Sequence, residues 1–107
     1  MVRKRDSKKN DSDVKTIRDA LSEHKKAHPN AEIDIQRKNS VSIRIRITDP
    51  DFKGLDLVER DNQLWKILEK LPEDVLSQIS LLLLFTPEER KKSLANFEFE
   101  RPVSSRL

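Results

Sequence analysis

The chain has no cysteine, which rules out disulfides, thiolate metal sites and thiol nucleophiles contributed by this chain alone. That absence leaves the redox compartment open, since it fits a reducing and an oxidising environment equally. There is one glycine among 107 residues, too few for a glycine-rich phosphate loop. The longest apolar run, Leu81 to Phe85, is far shorter than the about 20 residues a bilayer requires. Met1-Val2-Arg3-Lys4-Arg5-Asp6 is basic with no apolar stretch behind it, so no secretory signal is read there. Cytoplasmic residence is the expectation.

The residues that are present describe one small, polar domain. Hydrophobic residues make up 35% and charged residues 38%, with the apolar ones concentrated between Val14 and Phe99. Lys+Arg 22 against Asp+Glu 19 leaves a net charge of +3. The excess is therefore local, and a chain that coats nucleic acid is expected to be more lopsided.

Periodicity orders the elements. Residues 1–12 carry Arg3, Lys4, Arg5, Lys8 and Lys9 with almost nothing to bury, so a disordered basic arm is expected. From Asp13 onward Val14, Ile17, Leu21 and His24 recur at helical steps, with a cap from Asp11, Ser12 or Asp13 and a stop at His28-Pro29-Asn30. Ala31, Ile33 and Ile35, then Val41, Ile43, Ile45 and Ile47, alternate with polar residues, which predicts a hairpin. Asn39 is its turn residue, suited to positive φ. After Thr48-Asp49-Pro50-Asp51 and Gly54, a helix is expected to bury Leu57, Val58, Leu64, Trp65, Leu68 and Leu71 on one side. A short helix from Glu73 to about Gln78 should follow. Ser80 to Phe85 reads as a third strand, apolar on both faces. Thr86-Pro87-Glu88-Glu89 is a capping box for a last helix ending near Ala95. Phe97 and Phe99 then alternate with Glu98 and Glu100.

The predicted fold is α/β (α+β), in the order α-β-β-α-α-β-α. A crossover through helices makes the second and third strands parallel, in a three-stranded mixed sheet with helices on one face, a KH-like arrangement. The domain is expected over 13–96, with 97–107 as a C-terminal extension.

Phe52 and Gly54 ahead of Arg60, the following Trp65 and Leu68, and the closing Thr86-Pro87-Glu88-Glu89 resemble the BolA family over roughly Asp13 to Arg90. The resemblance implies a non-enzymatic adaptor that docks a monothiol glutaredoxin or another redox or iron-trafficking partner. It also marks Arg60, Asp61 and Gln78 as partner-binding positions. Members of the family have a histidine where Asp61 stands, and a second, used to ligate an iron-sulfur cluster shared with the glutaredoxin, where Gln78 stands. The hairpin link Arg37-Lys38-Asn39 offers no histidine or cysteine either, so no cofactor is expected for this chain.

From the residues themselves, Leu83 and Phe85 in the apolar run join the partner-binding set, because a strand at a sheet edge can pair with another chain. The alternative function is a nucleic-acid-binding regulator. It would use Arg37 and Lys38 at the hairpin tip and Arg44 and Arg46 on the face opposite the isoleucines, with the basic arm. The Gly-x-x-Gly clamp of KH modules and exposed aromatics for stacking are missing. Neither a catalytic set nor metal-ligand spacing is read, and His24 is taken as a packed histidine on the apolar face.

Overall fold

The computed structural model describes residues 2–100, with side chains from residue 12 onward. Its elements are α1 (Val2–Ala27), β1 (Glu32–Asn39), β2 (Ser42–Thr48), a 3-10 turn (Pro50–Phe52), α2 (Leu57–Leu68), α3 (Glu73–Leu76), β3 (Ile79–Phe85), α4 (Pro87–Lys92) and α5 (Leu94–Glu100). The architecture is α+β, with a three-stranded mixed sheet in the order β1-β2-β3. No helix among the described residues is long and apolar enough to cross a membrane.

β1 pairs with β2 antiparallel, Ile33 opposite Ile47 and Ile35 opposite Ile45, and β2 pairs with β3 in parallel, Ile45 opposite Leu82 and Ile47 opposite Leu84. The period-two alternation therefore lines one sheet face with isoleucine and leucine. Ile17 and Leu21 of α1 and Leu64 and Leu68 of α2 cover that face, and Phe52 closes the core. Burial of these branched side chains, at about 25 cal/mol per Å² of apolar surface, supplies the main favourable term of folding.

Several expectations are corrected. Helix α1 spans Val2–Ala27 and so begins ahead of the expected start at Asp13. No proline or glycine precedes Pro29 to stop it, and lysine and arginine are good helix formers. The side chains of Arg3, Lys4, Arg5, Lys8 and Lys9 lie outside the described set, as do residues 101–107. Asn39 does not take positive φ, which is found at Gly54 alone among the described residues (φ 87°). Its Oδ1 instead accepts a hydrogen bond from the backbone N–H of Val41, so the side chain turns the link.

The capping box of Thr86 is present, yet α4 stops at Lys92 and a separate α5 carries Phe97 and Phe99. Two residues apart on a helix point to opposite sides, so Phe99 is buried while Phe97 is exposed. Buried Phe99 lies against Arg44 and Arg46, on the side of the sheet away from α1 and α2. Helices thus occupy both faces, not one. Leu57 and Val58, expected on the buried side of α2, are 70% and 67% exposed. They form its first turn, beside Leu82 and Leu84 at the outer edge of β3.

Candidate functional site

Arg44 and Arg46 alternate with the isoleucines of β2, so they project onto the face that α5 covers. They are only 6% and 5% exposed. Arg46 donates from Nε and Nη2 to Asp34 Oδ2 at 3.0 and 2.7 Å, and from Nη1 to Asn96 Oδ1 and Glu100 Oε2, both at 2.7 Å. Burial works against the charge of Arg46 but is outweighed by Asp34 and Glu100, which hold its pKa above the ordinary value. Hydrogen bonds from Arg46 and Arg90 in turn pull Glu100 below the usual carboxylate range. Arg44 donates to the carbonyl of Glu98 at 3.4 Å. The two arginines expected to present a phosphate-binding face therefore anchor α5, and the nucleic-acid surface loses its centre. Arg37 also turns inward, donating to Gln78 Oε1 at 3.0 Å, while Lys38 stays at the exposed hairpin tip.

The positions singled out for partner binding separate into two groups. Arg60 is buried, with Nη1 donating to the Leu84 carbonyl at 3.1 Å and its guanidinium paired with Glu89. Phe85 is buried as well. The Arg60 guanidinium, which satisfies a strand carbonyl and a helix-cap carboxylate, has little left for a partner. Gln78 sits just ahead of β3 and donates to Asp13 Oδ2 at 2.9 Å. The remaining two stay accessible: Asp61 is exposed and Leu83 is half-buried.

Asp61 lies in a shallow groove lined by Leu57, Val58, Leu82 and Leu84. β3 is the last strand of the sheet, so one of its edges has no strand partner among the described residues. The Phe85 carbonyl accepts from the Asp49 N–H on the β2 side, whereas the Leu84 carbonyl faces the open side and is taken by Arg60. Alternation along the strand leaves the Leu82 backbone on that open edge. An apolar patch, an acid at its rim and a strand edge thus meet at one place. The groove combines two features that capture an extended chain: main-chain groups for pairing and leucines for side-chain contact.

The iron-sulfur cluster implied by the resemblance does not fit these residues. Gln78 carries an amide already bonded to Asp13 and Arg37, and the hairpin tip has no thiol or imidazole.

At the other end of the sheet, His24 is buried as expected, but it is not merely packed. Its Nε2 donates to Asp49 Oδ2 at 2.8 Å, and its ring stacks on His28 with centroids 4.4 Å apart. Burial pushes the His24 pKa down, and the hydrogen bond to Asp49 opposes the shift without cancelling it. The signal for this cluster was present in the sequence as two histidines four residues apart at the end of a helix, His28 just past its last turn, a spacing that puts both on the same side. Only the fold brings the Asp49 turn to them.

No protein-family model matches the chain, and searches of curated proteins and of solved structures likewise give no match.

Proposed function

We propose that this chain is a non-catalytic docking module, similar to the BolA family in its residue pattern. Its partner is a monothiol glutaredoxin or a related redox or iron-trafficking protein, bound along the open edge of β3 and the first turn of α2. The observation that carries the reading is the exposure of Leu57 and Val58 beside that edge. Exposed leucine and valine next to a strand edge that no other strand covers among the described residues favour association with another chain over solvation. The non-catalytic part is supported by the buried polar groups bonding to one another, as Arg60 does to Glu89 and Arg46 to Asp34 and Glu100. The choice of a glutaredoxin rests on the resemblance. Docking without cluster ligation is expected, because neither Gln78 nor Asp61 supplies an imidazole.

The test is a titration of isotope-labelled protein with a monothiol glutaredoxin, both free and cluster-loaded, alongside the Leu57→Asp and Val58→Asp variants. Amide shifts centred on α2 and β3, at least tenfold weaker binding by both variants and an unchanged cluster spectrum are the expected results. An absence of binding to either form would overturn the proposed partner. Binding untouched by both variants would overturn the proposed surface.

A further inference from the structure

The end of α1 and the turn after β2 bring four metal-ligating side chains together. His24, His28 and Asp49 each place one ligand atom within 4.8 Å of the others, and Asp51 Oδ2 is 2.7 Å from His28 Nδ1. We propose that His24, His28, Asp49 and Asp51 form a binding site for a divalent transition-metal ion, with Zn²⁺ the best match. It stands independently of the docking reading, since it uses none of the same residues.

Two imidazole nitrogens and two carboxylate oxygens are a donor set that suits a borderline ion. A tetrahedral zinc with ligands at about 2.0–2.1 Å sets its donor atoms roughly 3.3 Å apart. His28 Nδ1 and Asp49 Oδ2 already stand at 3.4 Å. His24 Nε2 and Asp49 Oδ2 at 2.8 Å must open by about half an ångström. Each neutral imidazole offers a lone pair to the ion when its proton sits on the other ring nitrogen.

The surroundings are those of a built site. The side chain of Asp49 is fully buried, a position where a carboxylate needs compensation. Its Oδ1 accepts from the Asp51 N–H at 2.9 Å, which fixes the group and leaves Oδ2 directed at the two imidazoles, as an outer-shell bond does for a metal ligand. The Phe52 ring, 5.8 Å from that of His24, forms an apolar wall. The side chains of His28 and Asp51 are 27% and 60% exposed, so an ion has a path in from solvent. Bound there, it would fasten α1 to the β2 end of the sheet.

The test uses untagged full-length protein stripped with a chelator. Its only two histidines are both in the site, so histidine ring resonances report on it without interference. Zn²⁺ is titrated in competition with a chromophoric chelator, and Co²⁺ is added separately to read the visible spectrum. The expected result is one equivalent of Zn²⁺ bound at micromolar strength or tighter, shifts of both histidine rings, and a tetrahedral cobalt spectrum. His28→Gln and Asp51→Asn change solvent-reaching groups and should keep the parent circular dichroism while weakening Zn²⁺ binding at least tenfold. Glu23→Gln, an exposed neighbouring acid, should leave it unchanged. Equal binding by the parent and by His28→Gln, or zinc uptake that leaves both rings unshifted, would overturn the site.

Discussion

Arg60 grips Glu89 with both arms of its guanidinium, Nη1 to Oε1 at 2.6 Å and Nη2 to Oε2 at 3.1 Å. The same carboxylate closes the capping box of α4 by accepting from the Thr86 N–H at 3.0 Å. Hydrogen bonds from Arg60 and then from Thr86 keep the Glu89 pKa below its ordinary value. One bidentate pair therefore joins α2, the end of β3 and the start of α4. Arg60→Ala should lower unfolding free energy by about 2–4 kcal/mol, since it orphans a buried strand carbonyl and one side of the pair. Glu89→Gln keeps the shape and should cost about 1 kcal/mol. Urea denaturation of both variants and of the double variant checks this, and a cost below half a kcal/mol for Arg60→Ala would contradict it.

Phe99 packs beneath Arg46, whose guanidinium carbon is 4.8 Å from its ring centre. Its truncation to alanine should cost about 3 kcal/mol, with loss of ring contacts and of the cation–π interaction together. Phe97→Ala, on the exposed side of α5, should cost less than half as much. Thermal melts of the two variants decide the matter, and equal costs would mean that α5 does not dock through Phe99.

Acidification should destabilise the metal-free protein through His24. Its pKa is lowered in the fold from an ordinary value of 6.5. Below that value the unfolded chain binds a proton that the folded chain resists, so stability is retained above about pH 6.5 and falls as pH drops toward the folded pKa. The slope from this group can reach about 1.4 kcal/mol per pH unit. Denaturation midpoints measured in chelator-containing buffer at intervals below neutrality test it. His24→Gln should flatten the curve in that window, and an undiminished slope would assign the effect to another group.

Gly54 has φ +87°, and a Cβ placed there would meet nothing within 4 Å. The penalty for a side chain is thus backbone strain alone. Gly54→Ala is expected to cost about 1–2 kcal/mol, and Gly54→Asn less, because asparagine tolerates the left-handed region. Equal stabilities of all three proteins in urea would show that the turn relaxes to negative φ.

The alternating isoleucines, the Thr86 capping box and the helix stop at Pro29 were legible because each is a local rule in which spacing or a single side chain settles the backbone. The three strands and their mixed pairing follow from those elements with few alternatives. Burial of the polar residues was not legible in the same way. Period two says that Arg44 and Arg46 face away from the isoleucines, but it cannot say that a second layer lies there. That layer exists because Phe99, Asn96 and Glu100 on α5 meet arginines fifty or more residues away in the chain.

The local pattern by itself thus determined which residues share a helix face or a strand face, since that depends only on the backbone repeat. Tertiary structure alone decided which of those faces meet solvent, an acid or an imidazole. It turned two apparent phosphate contacts into the anchor of a helix, left Leu57 and Val58 uncovered, and carried Asp49 to a histidine twenty-five positions earlier. The physical reason is that charge compensation and burial depend on distance in space, which helical and strand periodicity do not encode.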